Sequence, residues 1–418
     1  MGMRIMSINI NIPKEVEIAL NILHSNNYEA YIVGGCVRDS IMGTFPSDWD
    51  IATSAKPDGI MHCFNAYKTI ETGIKHGTVT VIIGGMIIEI TTYRIDGEYT
   101  DNRHPDNVLF TDNIALDLKR RDFTINALAY NQNGIIDLFG GIDDIKNKTV
   151  KCVGNPDERF NEDGLRILRA LRFSSVLNFN IEKNTSDSIY RNKNLLNNIS
   201  MERINIEFNK LLMGSNFQNI IMNYKDIIET FLPEIRELSE KELECRLKSM
   251  NTLNSLTLRL AILLYKIEFA EKIMMNLKYD NLTIKTVKLL IDNINEKIYP
   301  DPINIKHWLN KIQHNNLRKL IKIKMAMFPS EKKELSQSEI IIDEIIETNQ
   351  CYSLKTLAVN GIDLMDAGIP KGKNIGEMLN KLLYEVIEGN LKNERNGLIA
   401  FVNEQLTVSK KKERDIVN

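Results

Sequence analysis

Ser47-Asp-Trp-Asp-Ile-Ala-Thr53 is the stretch from which the fold and the chemistry of this chain are read. In a strand, residues i and i+2 share a face, so Asp48 and Asp50 bring two carboxylates to one spot. Adjacent like charges repel unless a cation sits between them, and hard oxygen ligands suit a divalent ion, Mg²⁺ being the common choice. Just upstream, Val33-Gly-Gly-Cys-Val-Arg-Asp39 carries a diglycine turn that lets backbone N–H groups approach an anion. Arg38 adds a fork of donors for phosphate oxygens. Carboxylates suited to a metal beside a phosphate cradle point to chemistry on a nucleoside triphosphate.

Outward from this centre the first 150 residues read as mixed α/β. The pattern predicts a helix over Glu17–Asn26, a strand over Ala30–Val33, a helical turn over Val37–Met42 and a strand over Trp49–Thr53. Thr78–Ile83 and Met86–Thr92 are β-rich runs joined by Gly84-Gly85, a two-residue hairpin signal. A polar, charged loop follows between Tyr93 and Val108. Past residue 155 strand signals fade, and apolar residues recur at helical spacing nearly to residue 405. The chain therefore reads as a small sheet domain followed by a long helical arm.

The 418 residues exceed what one core serves, and 43% hydrophobic with 26% charged residues is ordinary for a soluble globular protein. No apolar run is long enough for a transmembrane helix, and the N-terminus lacks signal-peptide architecture. Cys36, Cys63, Cys152, Cys245 and Cys351 are odd in number and form no C-x-x-C pair, which argues against a disulfide framework or zinc site and for a reducing cytoplasm. A net charge of −2 does not advertise a nucleic-acid binder, but Lys306, Lys311, Arg318, Lys319, Lys322 and Lys324 cluster locally. That cluster is either a solvated helix face or a contact for an RNA backbone, for which Lys306, Arg318, Lys319 and Lys322 are the candidates.

Three further groups bear on the chemistry. Glu89, between Ile88 and Ile90, is a candidate third acid for the Asp48/Asp50 site or an acid on the solvated face of an edge strand. A three-acid site would match the two-metal arrangement of nucleotidyl transfer. In Lys119-Arg-Arg-Asp-Phe-Thr-Ile-Asn126, Arg121 is placed to reach a triphosphate and Asp122 a ribose, against the plainer reading of a basic helix end. Asp163, Arg166, Arg169 and Arg172 recur every third residue and would form one polar stripe beside Leu165, Leu168 and Leu171. The stripe is a surface salt-bridge ladder or a base reader. An Asp accepting from an amino group and an Arg donating to ring acceptors match cytosine and adenine, whereas uracil and guanine present the opposite polarity.

Together these segments resemble class II (bacterial-type) tRNA nucleotidyltransferases, the CCA-adding and poly(A) polymerase branch of the polymerase-β-like superfamily. The resemblance rests on Gly34-Gly-Cys-Val-Arg-Asp39, Asp48-Trp-Asp50, Arg120-Arg-Asp-Phe-Thr-Ile-Asn126, Asp137-Leu-Phe-Gly-Gly141, Glu162-Asp-Gly-Leu-Arg166 and Ile199-Ser-Met-Glu-Arg-Ile204 with Glu207. Ala358-Val-Asn-Gly-Ile-Asp-Leu-Met365 and Pro370-Lys-Gly-Lys-Asn-Ile-Gly376 resemble the family's tail, and residues 215–350 match least. The resemblance implies an α+β fold: a nucleotidyltransferase head with a small mixed sheet at 1–150, then a helical neck at 151–215, body at 216–300 and tail at 301–418. It implies metal at Asp48 and Asp50, and nucleotide contacts at Gly35, Arg38, Arg121, Asp163, Arg166, Arg169 and Arg172, to which the ribose reading adds Asp122. The implied partners are the tRNA 3′ end, CTP and ATP, with Mg²⁺ as cofactor and a cytoplasmic location.

The expected reaction is template-independent addition of CCA to tRNA with release of pyrophosphate. The polar loop at Asp96–Pro105 occupies the place of the flexible loop that CC-only enzymes lack, and no His-Asp doublet of a phosphohydrolase domain is present. Cys36 stands where relatives often carry Ala or Ser, a swap expected to be silent. An A-adding enzyme or poly(A) polymerase shares the head and neck motifs, and a catalytically idle RNA-binding scaffold would have no reason to keep Asp48 and Asp50. A dinucleotide-binding oxidoreductase would need G-x-G-x-x-G, which Gly34-Gly35 does not supply.

Overall fold

The computed structural model describes residues 5, 6, 10–97 and 108–417. Most of the polar loop expected at Asp96–Pro105 lies outside the described residues. The strands, in chain order, are β1 (Ile5–Met6), β2 (Ala30–Val33), β3 (Trp49–Thr53), β4 (Lys68–Gly73), β5 (Thr78–Ile83), β6 (Met86–Thr92), β7 (Arg94–Asp96), β8 (Val108–Phe110), β9 (Leu128–Asn131), β10 (Gly134–Asp137), β11 (Thr149–Val150) and β12 (Asn180–Ile181). Among them a mixed eight-stranded sheet has the order β1-β10-β9-β2-β3-β6-β5-β4. Every neighbouring pair in it is antiparallel except β3 with β6.

Alternation builds the sheet's two faces. In β5, Val79, Val81 and Ile83 are buried while the intervening residues are partly open, and in β6 Ile88, Ile90 and Thr92 are buried. Helices α1 (Lys14–Ser25), α2 (Gly35–Ile41) and α3 (Pro57–Cys63) pack on this sheet, α1 on β2 and β3, α2 on β2, β3 and β9, and α3 on β5 and β6. The short helix α4 (Ile114–Lys119) is capped by the Asn113 side chain. Helix α5 (Gly141–Lys146) begins where Asp137 accepts N–H groups from Phe139, Gly140, Gly141 and Ile142, which gives the Asp-Leu-Phe-Gly-Gly motif its physical role.

Helices then take over: α6 (Pro156–Glu162), α7 (Leu165–Leu177), α8 (Lys183–Asn192) and α9 (Met201–Met213). Because α8 returns the chain, α7 and α9 lie side by side in the same direction: Asp163 pairs with Arg203, Arg172 with Glu207, and Ser175 Oγ donates to the Leu211 carbonyl at 2.7 Å. Their far ends close on Gly214, where an added Cβ would lie 2.2 Å from Ser175 Oγ and 2.6 Å from its carbonyl carbon.

The chain divides into two compact units, Met1–Glu244 with Met275–Tyr279, and Cys245–Met274 with Asp280–Asn418. Head and neck thus share one unit with residues 216–244. The second unit is helical throughout its regular structure, with Leu256–Leu263, Asn281–Asn293, Pro302–Met327, Lys332–Glu347, Lys373–Ile387 and Arg395–Val417 as its principal helices. Pro302–Met327 is interrupted at Gln313, whose φ of 65° and ψ of 159° are not helical. Its C-terminal core gathers Leu364, Leu382, Leu383, Leu398 and Val402. Asn360 and Asp363 form a reciprocal capping box, and Asp363 also receives Arg395 at 2.8 Å, so the tail motif works as a helix start.

Gly214→Ala is expected to cost about 1–3 kcal/mol through overpacking against Ser175. A lowered denaturant midpoint of the full chain checks it, and an unchanged midpoint would show that the two helices can part there.

Candidate active site

Asp48 immediately precedes β3 and Asp50 lies within it; both are open to solvent while Trp49 between them is buried. The two carboxylates therefore share the open face, as the spacing requires. In the parallel pair β3–β6, Asp50 is in register with Glu89, which is also on the open face. Since β5 flanks β6 on its other side, Glu89 belongs to an interior strand and not to an edge. The Asp50 carboxyl has its pKa pushed up to about 6, first by desolvation within its cleft and then by Glu89, with Asp48 adding and Arg121 opposing. Negative charge is thus in excess here. Among the described residues, no three acidic, histidine or cysteine side chains gather closely enough to hold an ion by themselves. Hard carboxylate donors with unbalanced charge suit a divalent cation that takes its other ligands from substrate and water.

A cleft of about 500 Å³ opens over this face, lined by Gly35, Cys36, Arg38, Asp39, Ser47, Asp48 and Asp50 from the sheet domain, and by Arg172, Val176, Lys210 and Met213 from α7 and α9. Gly34 opens α2 with φ 82° and ψ −132°, a conformation closed to residues with a side chain, and an added Cβ would lie 3.0 Å from Arg121 Nη1. Arg121 consequently reaches the diglycine turn. Its Nη2 donates to Asp117 at 3.2 Å, but its buried Nε has no hydrogen-bond partner among the described residues. Arg38 is buried, donating through Nη1 to Asn126 Oδ1 at 2.6 Å and through Nε to Asp39 at 2.8 Å. The Cys36 thiol donates to the Val33 carbonyl at 3.2 Å, and burial pushes it up to about 12, so it stays protonated.

Asp122 is buried and does not line the cleft. It receives Arg169 Nε at 2.9 Å and Nη2 at 2.6 Å on one oxygen, and Asn126 with the Phe123 N–H on the other. Burial alone would raise its pKa; the Arg169 guanidinium overcomes this and holds it at about 2. Arg169 and Arg172 both approach Glu207, at 3.6 and 2.7 Å, and Arg172 lies over the Phe173 ring at 3.8 Å. Asp163 sits ahead of α7, its Oδ1 accepting from the Leu165 N–H and its Oδ2 paired with Arg203 at 2.9 Å. Arg166 is buried, held by Glu162 at 2.5 Å and by the carbonyls of Arg159 and Arg120. The triplet-spaced residues thus divide: Asp163 and Arg166 occupy the start of α7, Arg169 is braced beneath the head, and Arg172 reaches the cleft.

Sequence reasoning singled out neither Asp117 nor the cleft-lining Lys210, Val176 and Met213, and it quoted Arg203 within a motif without assigning it a partner. Glu162, four residues before Arg166, and Asp117, four before Arg121, are partners of the kind that i,i+4 spacing encodes. In the second unit, Lys311 pairs with Glu296, Arg318 with Asp343 and buried Lys324 with Glu331, so half of the basic cluster is neutralised locally. Lys306 and Lys319 are half-buried and exposed Lys322 borders a groove with Lys248 and Lys332.

Residues 30–151 match the family model described as "Poly A polymerase head domain", residues 178–238 that described as "Probable RNA and SrmB- binding site of polymerase A", and residues 251–402 "tRNA nucleotidyltransferase domain 2 putative". The CCA-adding enzyme of Ligilactobacillus salivarius is 38% identical over 93% of this chain and 96% of its own length. The chain belongs to the CCA-adding enzyme family. The CCA-adding enzyme of Oceanobacillus iheyensis is likewise 38% identical, over 92% of this chain and 95% of its own length. Among solved structures, the Bacillus stearothermophilus CCA-adding enzyme in complex with CTP superimposes with a TM-score of 0.79 at 28% identity, covering 96% of this chain and 98% of that one. Nucleotidyltransferases of this family are generally metal-dependent. No helix among the described residues is long and apolar enough to cross a membrane.

Asp122 gives the site a measurable pH signature. A carboxyl held at about 2 in the fold against about 4 unfolded contributes roughly 2–3 kcal/mol, present above pH ~4 and lost as pH falls toward 2. Urea titrations should show a shallower loss of stability between pH 4 and pH 2 for Asp122→Asn than for the native chain. Equal slopes would remove Asp122 from the ion pair.

Proposed function

We propose that this protein adds CCA to the 3′ end of tRNA in the cytoplasm, transferring CMP twice and AMP once from CTP and ATP. The observation that carries this is the meeting of Asp48, Asp50 and the unpaired Nε of Arg121 around one glycine turn, in a chain whose near full-length relatives are CCA-adding enzymes. In each cycle the tRNA 3′-oxygen bonds to the α-phosphorus of the nucleotide as the bond to the β-phosphate oxygen breaks and pyrophosphate leaves. Asp48 and Asp50 would hold Mg²⁺, which supplies the charge that acidifies the 3′-hydroxyl and neutralises the triphosphate. Glu89 keeps the potential at Asp50 negative. Arg121 and the Gly34–Gly35 turn take triphosphate oxygens, and Arg38, fixed by Asn126 and Asp39, shapes that wall of the cleft.

Asp163 and Arg166 read the base edge. Arg203 and Glu162 hold them in place, so the acceptor and donors that complement cytosine and adenine are set before the nucleotide arrives. Arg169, Arg172 and Asp122 act as the brace that fixes this reader against the head. The C-terminal match to a tRNA nucleotidyltransferase domain favours tRNA over the poly(A) tails of the related polymerases. Lys306, Arg318, Lys319 and Lys322 are the candidate contacts for the tRNA backbone.

Transcripts ending before CCA, after C and after CC, each incubated with Mg²⁺ and CTP and ATP singly and together, test the reading. Extension of all three to CCA and no further is expected; extension of the CC-ending transcript alone would make the protein an A-adder, and long A tracts a poly(A) polymerase. Asp48→Ala should abolish transfer while leaving tRNA affinity within about twofold. Arg166→Ala should improve kcat/KM for UTP and GTP relative to CTP and ATP by about 10–100-fold, the equivalent of about 1–3 kcal/mol of lost discrimination. Unchanged selectivity would take base reading away from Arg166.

A further inference from the structure

The wall of the cleft that faces Asp48 and Asp50 is made by Val176, Lys210 and Met213, and the chemistry assigned so far uses none of the three. Val176 is 44% and Met213 39% exposed, an apolar pair left open inside an otherwise charged cleft. Lys210 is also exposed and, among the described residues, has neither a hydrogen bond nor an ion pair. Its neighbours Arg38 and Arg172 each have an ion-pair partner, Asp39 and Glu207, whereas Lys210 has none among the described residues. A solvated lysine at a helix end would suffice for Lys210 alone, but it does not account for the open apolar pair beside it.

The position along α7 identifies the occupant. Arg166, in the base reader, and Val176 are ten residues apart, about 15 Å along a helix and longer than a nucleobase. With the incoming base at Asp163 and Arg166 and its triphosphate on the Gly34–Gly35 turn, the Val176 end is left for the other substrate. That end is also held firmly: Ser175 Oγ donates to Leu211, the Asn216 N–H donates to the Ser175 carbonyl, and Gly214 allows the close approach. Two apolar side chains offer a surface for a base or ribose, and an ammonium offers a point charge for the adjoining phosphate.

We propose that Val176, Met213 and Lys210 seat the 3′-terminal nucleotide of the RNA, Lys210 taking its phosphate and Val176 with Met213 its base or ribose. This rests on the proposed function for the identity of the RNA and for the place of the incoming nucleotide, and on the cleft geometry for the residues that remain. The seat holds the attacking hydroxyl near Asp48 and Asp50 whichever nucleotide is being added.

The test is steady-state extension of a tRNA transcript ending before CCA, with RNA and CTP varied separately, for the native chain, Lys210→Ala, Lys210→Arg and Met213→Asp. Lys210→Ala is expected to raise KM for RNA about five- to tenfold and leave KM for CTP within about twofold, with Lys210→Arg restoring most of the loss. Met213→Asp should act in the same direction. A rise in KM for CTP with RNA unchanged would move Lys210 to the nucleotide's side and overturn the proposal; no change in either would overturn it too. Thermal melting of each variant confirms the fold. Anisotropy of a labelled RNA hairpin with a single-stranded 3′ end, without CTP, reads the seat without catalysis. Its affinity should fall in Lys210→Ala, with the slope of log affinity against log salt shallower by about 0.7. If the native chain extends no tRNA, the proposed function fails while a weakened hairpin affinity still supports the seat and an unchanged one rejects it.

Discussion

The buried pair of Asp122 and Arg169 is the constraint around which the catalytic unit is arranged. Asp122 follows the basic run of the sheet domain, Arg169 lies on the first long helix of the arm, and their atoms meet at 2.6 Å. Removing either partner would strand a charge away from water, which is far more costly than never having buried the pair. Above pH ~4 the attraction outweighs the desolvation of Asp122, and the pair allows one arrangement of head and neck and penalises others. Glu207 extends it by drawing Arg169 and Arg172 to a second helix, and Asn126 extends it on the head side by linking Asp122 to Arg38. From the cleft wall at Arg38 to the helix face at Arg172, the polar groups form one connected set.

This brace and the carboxylate face use opposite electrostatics. At Asp122 a cation is built in and the carboxyl is held at about 2; at Asp50 neighbouring acids and desolvation raise it to about 6. The first carboxylate is satisfied by the protein, and the second is left for something that arrives. Such a contrast between two acids in one unit is what separates structural from functional charge. Desolvation within the cleft contributes most to it, and the parallel pairing of β3 and β6 adds to it by setting Glu89 beside Asp50 on the interior of the sheet.

Much of this was legible in the sequence. Ala30–Val33, Trp49–Thr53, Thr78–Ile83 and Met86–Thr92 are strands with the bounds that alternation and the Gly84-Gly85 turn predict. The carboxylate pair follows from spacing alone. Period-three spacing was less informative: it set Asp163 in a helical stripe, whereas Asp163 precedes α7 and turns to Arg203, forty residues away. The pairing of Asp163 with Arg203 is fixed by how α7 and α9 pack, and no local pattern encodes that. The partners of the basic cluster were equally hidden, since Glu296, Asp343 and Glu331 pair with Lys311, Arg318 and Lys324 from other segments.

The interruption at Gln313 changes what that cluster can address. Lys311, Arg318 and Lys322 are seven and four residues apart, the spacing that aligns side chains along one face of an unbroken helix. With Gln313 outside helical geometry, the alignment does not carry from Lys311 to the other two. Two short rods replace one long one, each with its own direction. Any partner laid along this segment would meet two separate faces and not one continuous rail.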